Sequence, residues 1–289
     1  MTWTNFHSHS HYCDGKENLE DHVLSALQKG FSAFGFSSHA PVDFPNGWSM
    51  REDALATYVA EARTLAHTYR DQIELYVGLE VDYIPGRISS LHPLIQQAQL
   101  DYVVGSVHFV DSLADGMPWG IDGTHQEFLL GWEQVFGRDT EAAIRRYFEL
   151  IGDMVEETQP EVVGHLDKIK IQWEEGKLFT TEEPWYQQAV DRCLDRLAAH
   201  NSILEVNTRG IYKKKTLEAY PGPAILKKVK ARNIPIMLNS DSHHPRELDG
   251  RFPQTAQLLK SLGFTDLWAM KEGAWQPFSF DEKGLIAYQ

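Results

Sequence analysis

The chain has 289 residues, 42% of them hydrophobic, which is enough to bury a substantial core, and we predict one domain over residues 1–289. Its 27 basic and 41 acidic residues give a formal net charge of −14, which argues against a nucleic-acid partner or an anionic membrane because both favour basic patches. Two cysteines, Cys13 and Cys193, and the lack of a signal-peptide pattern or bilayer-length apolar run lead us to expect a cytoplasmic protein.

Short apolar runs alternate with helical patterns along the chain. The apolar runs predict strands at 3–6, 34–38, 73–79, 102–107, 161–164, 203–207 and 234–239, with a weak last strand at 267–270. The helical patterns predict helices at 18–29, 51–70, 88–99, 140–158, 181–200, 222–232 and 253–262, with Thr181 as the N-cap of the fifth. Two stretches, 111–138 and 172–181, are irregular; the first is long for a connection, so it is either a lid or contains short helices.

This alternation is typical of a parallel sheet covered by helices in an α/β fold. The number of strands favours closure into a barrel, although an open sheet would give the same sequence pattern. Metal-competent side chains follow the apolar residues of six of the seven strands: His7 and His9, His39, Glu80, His108, His165, and Asp241 with His243. Because the C-terminal strand ends of a parallel barrel form its catalytic face, we predict a polar site at that edge.

His7 and His9 lie two residues apart, so an extended backbone places both imidazoles on one face, where they can chelate one ion. Asp14 follows in a turn closed by Gly15, close enough to serve a neighbouring ion. A single His-x-His pair is common by chance and is a weak signal. The matching ligands at the other strand ends favour a metal site over histidines that are simply packed in a core.

Six short motifs, each containing a predicted ligand, follow one another along the chain. They are His7-Ser8-His9, Ser38-His39, Gly78-Leu79-Glu80-Val81-Asp82, Gly105-Ser106-Val107-His108, Val163-Gly164-His165 and Ser240-Asp241-Ser242-His243. Over nearly the full chain they resemble the motifs of the polymerase-and-histidinol-phosphatase (PHP) superfamily. The sequences of residues 80–84 and 207–210 are most similar to those of the monofunctional histidinol-phosphatase branch of this superfamily. The resemblance implies a distorted (β/α)₇ TIM-like barrel with a trinuclear metal centre at the C-terminal face of the strands.

The resemblance also implies a ligand set for three divalent transition-metal ions. The first ion would be held by His7, His9, Glu80 and Asp241, the second by Glu80, His108 and His165, and the third by Asp14, His39 and His243. Imidazole and carboxylate ligands without thiolates suit zinc, manganese or iron and disfavour a structural zinc site. Many relatives have a histidine in place of Asp14, so His11 is an alternative ligand, whereas we interpret Cys13 as a packing residue.

A centre of this type hydrolyses phosphate esters, because water bridging two ions ionises near neutral pH and the ions stabilise charge on the phosphoryl oxygens. We predict catalytic roles for Glu80, Asp241 and His243. Arg209 is predicted to bind phosphate bidentately. Lys170 stands where this branch often has arginine, and it is either a second phosphate ligand or an ordinary solvated lysine. We interpret the lysine run 213–215 as a solvated face.

The leading functional prediction is hydrolysis of L-histidinol phosphate to L-histidinol and phosphate in histidine biosynthesis, with a small phosphate ester as the substrate and no nucleic-acid or membrane partner; the sequence leaves the oligomeric state open. Another PHP phosphoesterase, acting on phosphotyrosine, nucleotides or other small esters, would have the same metal ligands. A non-catalytic metal-binding domain is disfavoured by the near-complete ligand set. An amidohydrolase acting on a lactone or amide often bridges its ions with a carboxylated lysine, whereas here Glu80 fills the bridging position.

Overall fold

The computed structural model describes residues 2–172 and 179–288, so most of the irregular stretch predicted at 172–181 lies outside the described residues. The strands are β1 Thr4–Asn5, β2 Ala33–Phe36, β3 Glu74–Asp82, β4 Tyr102–Ser106, β5 Phe109–Ser112, β6 Pro118–Gly120, β7 Val162–Val163, β8 Ile203–Asn207, β9 Ile236–Asn239, β10 Asp266–Lys271, β11 Ala274–Asp281 and β12 Gly284–Leu285. The α-helices are α1 Leu19–Gln28, α2 Leu55–Tyr69, α3 Pro93–Gln97, α4 His125–Phe136, α5 Thr140–Thr158, α6 Pro184–Ala198, α7 Arg209–Tyr212, α8 Pro223–Ala231 and α9 Phe252–Ser261. Short 3₁₀ helices span Glu52–Ala54, Lys168–Gln172 and Pro245–Glu247.

Seven strands form one parallel sheet in the order β1, β2, β3, β4, β7, β8, β9. The sheet closes just beyond its two end strands, where Ser8 pairs with Ser242. There His9 donates its backbone N–H to the Ser242 carbonyl over 2.8 Å, and Ser242 donates to the His7 carbonyl over 3.2 Å. The predicted parallel sheet is confirmed, and the structure is a nearly closed seven-stranded barrel rather than an open sheet.

β3 is longer than the sequence indicates. It pairs with β4 through residue 82, so Glu80 lies within the strand, opposite Val104, instead of following its end. Residues two apart on a strand share a face, and Glu80 and Asp82 therefore both point to the side where the Ser106 hydroxyl meets the Glu80 carboxylate. In the sequence, the apolar run of the strand stops at the acidic Glu80. In the structure, β3 continues to pair with β4 beyond Glu80.

The long irregular stretch predicted at 111–138 is ordered. It contains the antiparallel pair β5 and β6 and the helix α4, so the alternative with its own secondary structure is correct. Thr124 and Glu127 form a capping box at the start of α4, a signal that is visible in the sequence. This segment, residues 109–136, is called the insert below.

Other helix boundaries differ by a few residues. The fifth predicted helix begins at Pro184 with Glu183 as its N-cap, so Thr181 was the wrong cap; proline is favoured at the first helical position. The third predicted helix is shorter, Pro93–Gln97, because Pro93 sets its start. The weak last strand is confirmed as β10, and β11 and β12 extend it into an antiparallel sheet. No helix in the described ranges has the length and apolarity needed to cross a membrane.

Beneath the polar edge, four aromatic side chains, here called the aromatic layer, pack against one another: Phe6, Tyr76, Tyr102 and Trp275. The ring of Phe6 meets those of Tyr102 and Trp275 edge-on, with centroids 5.9 and 5.1 Å apart. Gly78 makes room for Tyr102, since a Cβ at residue 78 would lie 2.6 Å from the phenol Cζ. The aromatic layer therefore fills the barrel below the strand ends that carry the predicted ligands.

Candidate metal centre

All nine predicted ligands lie at the C-terminal edge of the barrel, on the strand ends or in the loops that leave them. Seven are buried, and the other two, Asp14 and His243, are half-buried. β1 leads to His7 and His9, and β3 carries Glu80. Asp14 lies in the loop after β1, and the remaining ligands follow the strands β2, β4, β7 and β9: His39, His108, His165, and Asp241 with His243.

One oxygen of Glu80 faces three imidazoles. Its Oε2 atom lies 3.0 Å from His39 Nδ1, 3.2 Å from His7 Nε2 and 3.4 Å from His9 Nε2. The three rings come from β1 and β2, the strands that precede β3 in the barrel order. Glu80 Oε2 is therefore surrounded by nitrogen ligand atoms from neighbouring strands.

The other oxygen of Glu80 faces a second pair of imidazoles. Its Oε1 atom lies 2.9 Å from His165 Nε2 and 3.5 Å from His108 Nε2. Ser106 donates its hydroxyl to the same oxygen over 2.6 Å, which fixes the carboxylate between the two groups of rings. A carboxylate whose two oxygens face different imidazole groups has an arrangement that suits the bridging role predicted for Glu80.

Two aspartates complete the cluster. Asp241 Oδ1 lies 3.2 Å from His9 Nε2 and 3.4 Å from His243 Nδ1, and Asp14 Oδ1 lies 3.2 Å from His243 Nε2. Asp241 has a φ of 49°, in the left-handed region that non-glycine residues adopt at some cost, often at functional sites. His11, the alternative to Asp14, is exposed, and the geometry favours Asp14.

The ligand atoms gather in three overlapping groups, and within each group they lie within 4.8 Å of one another. The groups are His7, His9 and Asp241; His39, Glu80 and His108; and His9, Asp14, His39 and His243. They resemble the three predicted ligand sets, with His9 and His39 each shared between two groups. His165 lies beside the second group through its contact with Glu80.

Several buried ligand atoms of the cluster make no hydrogen bond within the described residues. They are His7 Nε2, His9 Nε2, His39 Nδ1, Asp14 Oδ1 and Asp241 Oδ1. A buried polar atom without a hydrogen-bond partner lowers the stability of the fold by about 1–3 kcal/mol. A site that contains several such atoms therefore needs a bound ligand to compensate. Imidazole nitrogens and carboxylate oxygens are the donors that zinc, manganese and iron take, and the cluster fits divalent transition metals.

Two buried carboxylates that the sequence analysis did not select orient the histidine ligands. Glu205 accepts a hydrogen bond from His7 Nδ1 over 2.6 Å and from the His165 backbone N–H over 2.9 Å. Asp82 lies 2.9 Å from His108 Nδ1. A carboxylate on the far ring nitrogen fixes which nitrogen faces the metal. Asp82 is the last residue of the motif at residues 78–82. Glu205 could have been selected from the sequence because it is an acidic residue in the middle of an apolar strand.

The electrostatics of two of the ligands, Glu80 and His9, match metal binding. Burial would raise the pKa of Glu80, but nearby imidazoles, His7 foremost, hold the pKa of that carboxyl well below its usual value. Burial, reinforced by His243 and His39, lowers the pKa of His9 well below the ordinary value of histidine. At neutral pH the carboxylate is ionised and the His9 imidazole is neutral, and these are the forms that ligate metals.

The predicted cations lie in different surroundings. Arg209 donates to the Asp241 carbonyl over 2.8 Å and lines the cavity over the cluster. Lys170 is buried, which excludes the solvated alternative, and its ammonium pairs with Asp167 and Glu218. The lysine run at 213–215 is exposed, as predicted. A lysine that the sequence analysis did not select, Lys168, lines the cavity.

A cavity of about 580 Å³ opens over the cluster, a usual size for a small-molecule site. Its lining includes ligands of the cluster and apolar side chains from the insert and from the loop that follows β2. Trp48 meets His39 edge-on, with ring centroids 4.5 Å apart, and stacks on Phe109 at 5.6 Å. The cavity is therefore large enough to hold an organic group in addition to a phosphate. Trp48 and Phe109 form an aromatic wall against which such a group can pack.

Residues 5–209 match the family model described as PHP domain. The chain belongs to the PHP domain family. The matched segment includes seven of the nine predicted ligands and ends before β9, which leads to the other two, Asp241 and His243. The family resemblance drawn from the short motifs is thereby confirmed.

Relatives of this PHP-domain chain cover most of its length. A protein of Schizosaccharomyces pombe named probable histidinol-phosphatase is 30% identical over 280 residues, which is 92% of this chain and 89% of that protein. A protein of Deinococcus radiodurans with the same name is 28% identical over 260 residues, 89% of this chain and 92% of its own. Histidinol phosphate phosphatase from Lactococcus lactis, solved with zinc, L-histidinol and phosphate, has a TM-score of 0.68 at 22% identity and covers 99% of both chains.

Proposed function

We propose that this chain is a metal-dependent phosphomonoesterase that hydrolyses L-histidinol phosphate to L-histidinol and phosphate, a step of histidine biosynthesis. The observation that carries the proposal is the group of orphaned nitrogen and oxygen atoms around Glu80, in a cavity that Arg209 also lines. The substrate comes from the relatives, which are named histidinol-phosphatases and share most of their length with this chain.

The whole of residues 1–289 is proposed to act as one catalytic domain. The family match ends at residue 209, but β9 lies in the same sheet as the matched strands and leads to Asp241 and His243. Ser242 pairs with Ser8 and closes the barrel at the cluster. The C-terminal part of the chain thus contributes both ligands and architecture to the site.

Divalent metal ions are proposed as cofactors, and three ions are proposed to bind the three ligand sets predicted from the sequence, which the observed groups resemble. Zinc is present in the related Lactococcus lactis structure. When bound, ions of this kind lower the pKa of water to near neutrality and stabilise the charge of the phosphoryl group. His7, His9, Glu80 and Asp241 would hold one ion, Glu80, His108 and His165 a second, and Asp14, His39 and His243 a third.

The residues of the chain then have separate tasks. Glu80 would serve as a ligand to two ions, because its two oxygens face different imidazoles and Ser106 restrains it. Asp241 and His243 link the first and third groups. Arg209 offers a planar guanidinium that can bind two phosphate oxygens, and its anchor on the Asp241 carbonyl keeps it beside the ligands.

Substrate comparison tests the assignment. The purified, metal-supplemented protein should release phosphate from L-histidinol phosphate with a much higher kcat/KM than from phosphotyrosine or nucleotides. A wide preference for one of those other esters would overturn the substrate but leave a PHP phosphoesterase. Failure on every ester with a full metal complement would overturn the enzymatic proposal.

Elemental analysis tests the metal proposal separately. Protein prepared without chelators after metal-supplemented expression should contain more than one transition-metal ion per chain, because nine ligands exceed the needs of a single four- to six-coordinate ion. One equivalent or none would contradict a trinuclear centre.

A further inference from the structure

Two lysines on one 3₁₀ turn, Lys168–Gln172, point to different parts of the molecule. Lys168 and Lys170 are two residues apart, and the turn follows directly on the segment that carries His165. Only Lys170 occupies the position of the arginine found in the histidinol-phosphatase branch. Their contacts, however, assign them different tasks.

The ammonium of Lys170 is saturated by protein groups. It lies 2.9 Å from Asp167 Oδ2 and 2.7 Å from Glu218 Oε1, and it donates to the Ala219 carbonyl over 3.1 Å. It also sits 5.2 Å from the centre of the Tyr220 ring. An ammonium has three protons to donate, and these three acceptors take them all. Lys170 therefore holds the segment 218–220 against the turn.

The ammonium of Lys168 lies at the metal cluster. Its Nζ atom is 3.1 Å from His108 Nε2 and 2.9 Å from Asp122 Oδ2, and the side chain, 13% exposed, lines the cavity that Arg209 also lines. Asp122 belongs to the insert, directly after β6. The insert thus supplies a carboxylate that draws Lys168 toward the cavity instead of toward open solvent.

The ammonium of Lys168 has N–H groups left to bind a further anion. When His108 Nε2 ligates an ion, its lone pair is committed to that ion and no longer accepts from the ammonium. Asp122 then satisfies one of the three N–H groups. The others then have no acceptor among the described residues, and Lys168 lines a cavity in which a substrate phosphate is the proposed occupant.

We propose that Lys168 binds the substrate phosphate together with Arg209, and that Asp122 is the positioning residue that aims it. This inference rests on the proposed function, because it assumes a phosphate ester in the cavity. Lys170 is then a positioning residue for the cavity wall, and the phosphate role predicted for it from the sequence passes to Lys168.

Binding of inorganic phosphate to the metal-loaded protein, measured by titration calorimetry, is the test. Lys168→Met should weaken phosphate binding about 10- to 100-fold, the usual range for one charge-assisted hydrogen bond, with metal content unchanged. Lys228→Met is the matched control, since it removes the same charge from a lysine that pairs with Asp191 on the outer helices. It should bind phosphate like the wild type.

Asp122→Asn tests the positioning role. It should weaken phosphate binding less than Lys168→Met does, and Asp122→Glu should recover part of the loss, whereas a purely structural role would lower the thermal midpoint without this pattern. Phosphate binding in Lys168→Met equal to that of the wild type, or loss of metal from that variant, would overturn the inference. Because binding needs no turnover, a wild type that binds phosphate through Lys168 but leaves L-histidinol phosphate intact would overturn the proposed function alone.

Discussion

Two layers inside the same barrel differ in whether their buried polar atoms have hydrogen-bond partners. In the aromatic layer the Tyr102 hydroxyl lies 2.8 and 2.9 Å from the carbonyls of Phe6 and Phe36, and within the described residues only the indole N–H of Trp275 lacks a partner. In the metal cluster above it, six nitrogen and oxygen atoms of the predicted ligands lack a hydrogen-bond partner among the described residues. Apart from that indole N–H, the polar atoms of the aromatic layer find hydrogen-bond partners within the protein, whereas the arrangement of the cluster calls for bound ligands. Variants in the two layers should therefore fail in different ways.

The largest effect is expected at Glu80. Glu80→Ala removes the carboxylate that faces both groups of imidazoles, so the protein should lose metal and kcat should fall at least about a thousandfold. Elemental analysis and phosphate release measure the two effects. His244→Ala is the control, because His244 caps the 3₁₀ helix Pro245–Glu247 and lies outside the ligand groups. Equal behaviour of the two variants would show that the ligand register after β9 is wrong.

The next effect separates phosphate binding from metal binding. Arg209→Ala should lower kcat/KM on L-histidinol phosphate by at least about a hundredfold, because losing a buried charged contact typically costs about 2–5 kcal/mol. Metal content should stay close to that of the wild type. Arg209→Lys should recover only part of the activity, since lysine lacks the paired N–H geometry. Unchanged kinetics in Arg209→Ala would remove this residue from the site.

The aromatic layer should respond in stability and not in metal content. Tyr102→Phe leaves the ring in place but removes the hydroxyl near two buried carbonyls, and we expect a loss of about 1–3 kcal/mol in the free energy of unfolding. Urea denaturation of the metal-loaded protein measures it, with elemental analysis alongside. A loss of metal with little loss of stability would mean that the two layers are not distinct.

The smallest effect concerns a buried histidine outside both layers. His22 on α1 lies 3.0 Å from the Lys16 carbonyl through Nε2, and burial lowers its pKa to about 4. Between pH 6.5 and pH 4 the unfolded chain binds a proton there that the folded chain does not, so stability is lost as the pH falls through that window, by about 2–3 kcal/mol in total.

Unfolding of metal-free protein at several pH values measures this contribution. His22→Gln should show a shallower loss of stability between pH 6.5 and pH 4 than the wild type. His67→Gln, which alters an exposed histidine on α2, should keep the wild-type slope. Parallel slopes in all three proteins would show that His22 does not contribute.

Local sequence signals determined most of the architecture and the positions of the candidate ligands. The helix at Thr140–Thr158 and the strand at Ile203–Asn207 have the predicted bounds, because hydrophobic period and flanking polar residues define them within a short window. The ligands at the strand ends were accessible for the same reason, since a short motif carries both the strand and its polar terminus. The hairpin at Glu272-Gly273, where both residues have positive φ, was not among the predictions.

Tertiary structure alone decided which side chains orient the ligands and which cation faces the cavity. Glu205 meets His7 across 198 positions of sequence, and Asp122 meets Lys168 only because the insert folds back onto the 3₁₀ turn. Lys168 and Lys170 have the same side chain two residues apart, and no local pattern distinguishes them. Barrel closure through Ser8 and Ser242 joins the two ends of the sheet. Contacts between distant segments depend on the packing of the whole barrel, and a local window of sequence does not contain that information.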